Sequence, residues 1–258
     1  MNSVKLVVRK DRPQAVSISD RLVGLLTQQG VSTAEGEPDA VIAIGGDGTV
    51  LEAASIAMEA GIPICGVNVG RVGYLAEFAE DEVGDLAVAI STDSFKTRHH
   101  STLWVGTPSH SASAINDIVI EKVISQRIIE VSVEVNDRAL ATYRTDGMIV
   151  ASPLGSTAYS LSAGGPIVDP SLDALILTPI APHSLLTRAI VLAPDAVVTL
   201  SVDGDRPARV NVDGRELCTV APDEPIVIKR GRTTVEFLTL ERHPFPQAVR
   251  EHFGLDHA

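Results

Sequence analysis

Aromatic residues are scarce, at 3% of 258, so the core has to be built from Val, Ile, Leu and Ala, which favours β-rich or α/β architecture. Cysteine is nearly absent. Cys65 and Cys218 show no metal-ligand spacing, fit a reducing compartment, and read most simply as two small buried hydrophobes. The seven histidines show no metal-ligand spacing either, so no protein-held metal site is expected, and His183 reads as a hydrogen-bonded loop residue. There is no long apolar span, and Met1 to Lys10 alternates charge with strand residues where a signal peptide would need an apolar run. A cytoplasmic protein without membrane contact is the expectation. Cations are outnumbered: 21 Lys and Arg against 33 Asp and Glu give a net charge of −12, which leaves no electrostatic footprint for nucleic acid or anionic membrane. A polyanionic small substrate stays open, because screening over ~10 Å lets a local arginine cluster outweigh distant charge. Repeats, low-complexity segments, a Walker A loop and a protein-kinase glycine loop are all missing.

What is present begins with Gly45-Gly46-Asp47-Gly48-Thr49. Val41 to Ile44 read as a buried parallel strand, and Thr49 to Ala60 as the helix after it. Ligands of open α/β sheets bind at such junctions, where glycines let backbone amides approach an anion and the helix offers its positive end. Asp47 is the odd element. A carboxylate beside phosphates is repelled unless a metal intervenes or it faces a hydroxyl whose proton it takes. For this motif alone, a tight turn with Asp as helix cap is an equally good reading. Val4 to Val8, a helix from Pro13 to Gln29 closed by Gly30, a strand from Pro63 to Val67 and a short helix from Glu80 to Ile90 complete an alternating first part. A second glycine loop, Asn68-Val69-Gly70-Arg71-Val72-Gly73-Tyr74-Leu75, follows the third strand.

From Thr97 to about Leu240 the signal changes to period two with turns. Strands are expected at Ile128 to Val135, Arg138 to Arg144, Met148 to Ala151, Val197 to Val202, Ala208 to Val212, Glu216 to Val220, Ile226 to Lys229 and Thr233 to Leu240. Asn136-Asp137, Asp203-Gly204 and Asp213-Gly214 are the turns. The expected fold is therefore α/β + β: an N-terminal doubly wound α/β domain over residues 1–95 and a C-terminal antiparallel, sandwich-like β domain over 96–240. The tail 241–258, helical at Pro246 to Phe253, is expected to pack on the first domain. Within the second half, Thr145 to Pro166 (TDGMIVASPLGSTAYSLSAGGP) is dense in hydroxyls and small residues, a loop that suits a polar ligand lying against backbone, although a Ser/Thr-capped loop of a β domain would read alike. Asn116-Asp117 offers an amide beside a carboxylate, fit for ribose hydroxyls or for an Asx turn.

Taken in this order, GGDGT, NVGRVGYLAEF, the Asn-Asp pair, TDGMIVASPLGSTAYSLSAGGPIVDP and TPIAPHSLLTRAIVL resemble the NAD kinases over roughly Val41 to Gly214. The resemblance implies transfer of the terminal phosphoryl group of ATP to the 2′-hydroxyl of the adenosine ribose of NAD, giving NADP and ADP. It implies that Asp47 activates the acceptor hydroxyl, with Gly48 beside it on the dinucleotide and Gly45, Gly46, Gly48 and Thr49 as the phosphate cradle. Asn116 and Asp117 match an Asn-Glu pair that holds NAD, here with the shorter acid. Arg127, Arg144, Asp146, Leu154, Thr157, Ala158, Tyr159, Ser160, Leu161, Ser162 and Ala181 match further dinucleotide contacts. Many relatives follow the Asp-Gly pair with Gln; here Arg215 follows Asp213-Gly214. The implied cofactors are ATP and a divalent metal ion, Mg²⁺ in the first instance, and the implied assembly is a homodimer or homotetramer. Polyphosphate would use the same cradle as ATP. Arg71 and Arg188 are further cationic candidates, with solvated surface arginines as the default.

Two rivals are weighed against this. Diacylglycerol- and sphingosine-type lipid kinases share GGDGT, but the long central motif and the lack of an amphipathic membrane face weigh against them. A dinucleotide-binding sensor without turnover would gain nothing from Asp47. The phosphate cradle lies in one half and the central motif in the other, so the site is expected in the cleft between them.

Overall fold

Short apolar runs set the first part of the chain. Val4–Val8 (β1), Ala40–Gly45 (β2) and Ile64–Asn68 (β3) pair in parallel in that order, and β2 and β3 are buried along their whole length. Strands buried on both faces need cover on both. Pro13–Gln28 (α1) starts with Pro13 at a position where its missing N–H costs nothing, and buries Ala15, Ile18, Leu22 and Leu26 on one stripe. That stripe shares a core with Ile42, Ile44, Cys65 and Val67 and with Val83–Thr92 (α3), which a 3₁₀ turn at Glu80–Glu82 precedes. Asp47–Ala60 (α2) covers the other face, where Val50 lies against the backbone of Gly66, and Gly61 ends it in the left-handed region.

The computed structural model describes residues 1–33, 37–70, 73–242 and 244–255. It divides into two units, 1–100 with 235–258, and 101–234.

The second unit is β throughout. After Lys96–Gly106 (β4) come Ser111–Ala114 (β5), Asp117–Lys122 (β6), Ile129–Val135 (β7), Arg138–Thr145 (β8) and Gly147–Ala151 (β9). A 3₁₀ turn at Leu154–Thr157 and the single turn Tyr159–Ser162 (α4) lead to Leu175–Ile180 (β10) and Ile190–Leu192 (β11). Val197–Asp203 (β12), Ala208–Val212 (β13), Arg215–Val220 (β14) and Ile226–Thr239 (β15) follow, and the first unit regains the chain for Phe245–Phe253 (α5). One antiparallel sheet has the order β11-β10-β9-β6-β13-β14. Antiparallel β15-β12-β7-β8 form the second layer, and alternate residues of both layers, with Tyr143 the bulkiest, fill a single core. The architecture is an antiparallel sandwich.

Two expected boundaries move. The helix after the glycine turn begins at Asp47, two residues before Thr49, because Gly46 (φ −95°, ψ −176°) is its cap. The segments Ile226 to Lys229 and Thr233 to Leu240 are one strand, not two. Gly231 between them makes no turn: a Cβ there would sit 2.1 Å from Thr102 Oγ1, so the glycine admits the neighbouring strand β4.

Candidate functional site

In the first unit the candidate chemistry gathers where β2 enters α2. Gly45 is buried and leaves room for Thr49, whose Oγ1 would be 2.3 Å from a Cβ at that position. Gly46 caps the helix, and Gly48 is exposed in its first turn. Gly46 O accepts from Thr49 N at 2.8 Å and Val50 N at 3.2 Å, and a helix start of this kind is the usual place for an anion. Asp47 does not cap its own helix. Its carboxylate accepts the N–H of Tyr74 at 3.2 Å and of Leu75 at 3.3 Å, from the loop after β3. A carboxylate offers about four lone-pair positions, so these bonds orient Asp47 and leave acceptor capacity for a hydroxyl.

That loop is built around Asp47. A Cβ on Gly73 would lie 2.2 Å from Asp47 Oδ1, so no larger residue fits with the carboxylate in place. Burial, and then the Asp47 charge, push the Tyr74 phenol above its usual range, and the Tyr74 ring lies 4.4 Å from that of His252 on α5. Further along, Glu77 accepts hydrogen bonds from Thr239 Oγ1 (2.8 Å), Leu240 N (2.7 Å) and Arg242 N (3.1 Å), which ties the loop to the returning chain. Arg242 pairs with Glu82 and Asp85 and lies over the Phe78 ring. Arg71 and Val72 of this loop lie outside the described residues.

In the second unit Asn116 and Asp117 form a buried corner where β6 starts. Asn116 O accepts from Ser152 N (2.8 Å), Ile115 O accepts from Ser152 Oγ (2.6 Å), and a Cβ on Gly155 would lie 2.1 Å from Asn116 O. The central motif is thus pressed onto the corner through backbone. Asn116 Oδ1 is buried and has no hydrogen-bond partner among the described residues. Burial, and then the neighbouring Asp213 charge, push Asp117 up to about 7 from an ordinary 3.8. Burial also raises Asp213, against the pull of three backbone N–H donors and of Arg215.

Several expected site residues share this neighbourhood. Tyr159 is part-exposed, and its phenol is raised by burial and then by the charges of Glu121, Asp117 and Asp146. Asp146 is held by Lys122 Nζ at 2.5 Å. Ser160 Oγ shares a buried hydrogen bond with Thr178 Oγ1 at 2.9 Å, while Leu154 is buried and Thr157 and Ala158 are half-buried. Leu161 is half-buried and Ser162 exposed. Ala181 sits just after β10 in the left-handed region (φ 45°) and is exposed. Arg144 is exposed and pairs with Glu130 across β7 and β8; its N–H donates to Ser184 Oγ at 3.0 Å and its carbonyl accepts from His183 N at 2.7 Å. Arg127 and Arg188 are exposed in loops, and among the described residues no hydrogen bond or ion pair ties either side chain to the corner. Lys122, Ser152, Gly155 and Thr178 in the second unit, and Gly73 beside Asp47 in the first, support these groups without having been singled out individually by the sequence. Gly73, Ser152, Gly155 and Thr178 lie inside the quoted motifs, and Lys122 alone of these carried no signal. Among the described residues no group of three or more His, Cys, Asp or Glu could hold a metal ion.

The comparisons with known proteins agree on one family. The ATP-NAD kinase N-terminal domain matches residues 4–95, and the ATP-NAD kinase C-terminal domain matches residues 115–240. The chain is 35% identical over 282 residues to the NAD kinase of Heliobacterium modesticaldum, covering 97% of this chain and 98% of that protein. Among solved structures it is similar to an NAD kinase from Archaeoglobus fulgidus in complex with ATP, with 26% identity, TM-score 0.77, and 98% and 97% of the two chains covered. A yeast NADH kinase complexed with NADH shares the fold, with TM-score 0.86 at 20% identity over 100% of this chain and 89% of that one.

Proposed function

The chain belongs to the ATP-NAD kinase family, and from that premise we propose how its residues phosphorylate NAD with ATP. Asp47 takes the proton of the 2′-hydroxyl of the adenosine ribose of NAD. The freed oxygen attacks the γ-phosphorus of ATP, the bond from that phosphorus to the β,γ-bridging oxygen breaks, and NADP and ADP result. Such transfers pass through a loose transition state, so positioning and charge stabilisation carry most of the catalysis. Amides at the head of α2, with Gly48, serve the phosphates. A divalent ion such as Mg²⁺, bound with the phosphates of ATP, would supply charge withdrawal from the transferring group.

The observation that supports the dinucleotide assignment best is the buried, unpartnered amide oxygen of Asn116 beside the Asp117 carboxyl. A buried acceptor without a donor costs about 1–3 kcal/mol, and a ribose hydroxyl would relieve it. Tyr159, Asp146 and the stretch from Leu154 to Ser162 complete the surface for the dinucleotide, together with Arg127, Arg144 and Ala181. A cytoplasmic setting is supported by the free thiols of Cys65 and Cys218. A homodimer or homotetramer is supported by the apolar side chains the second unit leaves exposed, Ile124, Leu172, Leu185 and Val191.

The test is steady-state kinetics with Mg-ATP and NAD, following NADP with a dehydrogenase specific for it. Asn116→Ala and Asp117→Ala are expected to raise KM for NAD about tenfold and to leave KM for ATP within about twofold, since lost ground-state contacts appear in the KM of the ligand concerned. Equal changes for both substrates would remove the pair from the dinucleotide site.

A further inference from the structure

We propose that Asp213, in the turn between β13 and β14, is a positioning residue for the dinucleotide, acting through the Asn116-Asp117 corner. The inference rests on the reading that this corner holds NAD.

The backbone of the corner can be accounted for completely. Residues 115 and 116 fall between β5 and β6, so their amides lack a ladder partner and must find another acceptor. All three consecutive amides go to one carboxylate: Ile115 N to Asp213 Oδ2 at 2.8 Å, and Asn116 N and Asp117 N to Asp213 Oδ1 at 2.7 and 3.1 Å. The carbonyls are satisfied as well, those of Ile115 and Asn116 by Ser152 and that of Asp117 by Asp213 N at 3.0 Å. Asp213 therefore donates one bond to the corner and accepts three.

Two features show that Asp213 is held for this purpose. Its φ of 47° places it in the left-handed region, which the turn with Gly214 (φ 76°) accommodates and which aims the carboxylate back across the strand start. Arg215, two residues on in the chain, favours the charged form of Asp213 against burial. Because Asp213 and Ser152 take up the backbone groups of residues 115–117, the side chains of Asn116 and Asp117 need not stabilise their own turn. An Asx turn, the plainer role of such a pair, would have consumed them. The carboxylate thus converts a strand-start turn into a rigid presentation of one amide and one carboxyl. Fixing contact groups in advance lowers the ordering cost of binding.

The experiment uses the full chain and four variants: Asp213→Ala, Asp213→Asn, Asn116→Ala and Asp117→Ala, each with KM for NAD, KM for ATP and a melting temperature. For Asp213→Ala, KM for NAD is expected to rise about tenfold or more while KM for ATP stays within about twofold, the size expected for losing charge-assisted bonds to the corner. Asp213→Asn is expected to fall between, because its amide oxygen keeps the bonds from Asn116 and Asp117 while its NH₂ faces the Ile115 N–H. If Asp213→Ala does not fold, Asp213→Asn decides by the same split. A wild-type KM for NAD in the folded Asp213 variants, or equal rises for both substrates with a lowered melting temperature, overturns the proposal. When the Asn116 and Asp117 variants are selective for NAD and the Asp213 variants are not, only the role of Asp213 fails. When the Asn116 and Asp117 variants leave KM for NAD unchanged, the dinucleotide reading fails and the role of Asp213 falls with it.

Discussion

Asp117, proposed to hold the dinucleotide, carries a cost to the fold. An aspartate in water ionises at about 3.8, and burial followed by the Asp213 charge pushes Asp117 up to about 7. The folded state therefore holds this proton more tightly than the unfolded chain does. Its contribution to stability is fully present below the unfolded value, declines as pH rises between them, and is lost above about 7. A neutral isostere removes the penalty. Asp117→Asn should raise the melting temperature at pH 8 by several degrees, a change of the order of a few kcal/mol, and the gain should shrink towards nothing as pH falls to about 4. Thermal melts of the two proteins at both pH values check this, and an equal shift at each would mean that Asp117 is not buried as described. Asp47 is set up differently, on two backbone donors rather than in a dry corner.

At the scale of elements, close backbone approach explains both what the sequence reveals and what it hides. β2 and β3 are legible because strands buried on both faces read as unbroken apolar runs. β4 is not, since its first four residues, Lys96 to His99, are exposed and charged or polar, and β5 is a Ser-Ala repeat with no β-branched residue. Gly231, in the gap between two expected strands, is a contact point inside a single strand. In the site, Asp47 and the Asn116-Asp117 pair are legible because their neighbours in the chain form motifs. The carboxylate that organises the pair lies 97 residues from Asn116, and nothing local announces such a partner. Lys122, which holds Asp146, is hidden for the same reason. Gly155 lies in a motif, and its reason is mechanical: a methyl group would strike the Asn116 carbonyl. Gly155→Ala should destabilise the protein by about 1–3 kcal/mol, as overpacking does, and raise KM for NAD with little effect on ATP. Denaturant melts and the coupled assay together check it; a wild-type KM for NAD would separate the 3₁₀ turn from the dinucleotide site.

For the whole molecule, each unit has its own core, one of helices on a parallel sheet and one between antiparallel layers. No helix among the described residues is long and apolar enough to cross a membrane. A net charge of −12 would repel two anionic substrates over long distances, yet screening confines that field to ~10 Å. Binding has to come from local amides and hydrogen-bonding side chains, the role proposed for the glycine turn and the Asn116 corner. The division of labour assigns the chemistry to one carboxylate and the hold on NAD to other residues. The most direct measurement is kcat for NADP formation by Asp47→Asn beside the wild type, with NAD affinity measured on both by titration calorimetry. A general base contributes about 10²–10⁴ in rate, so kcat should fall by that factor while the variant folds and still binds NAD. An unchanged kcat would take Asp47 out of the reaction and contradict the account.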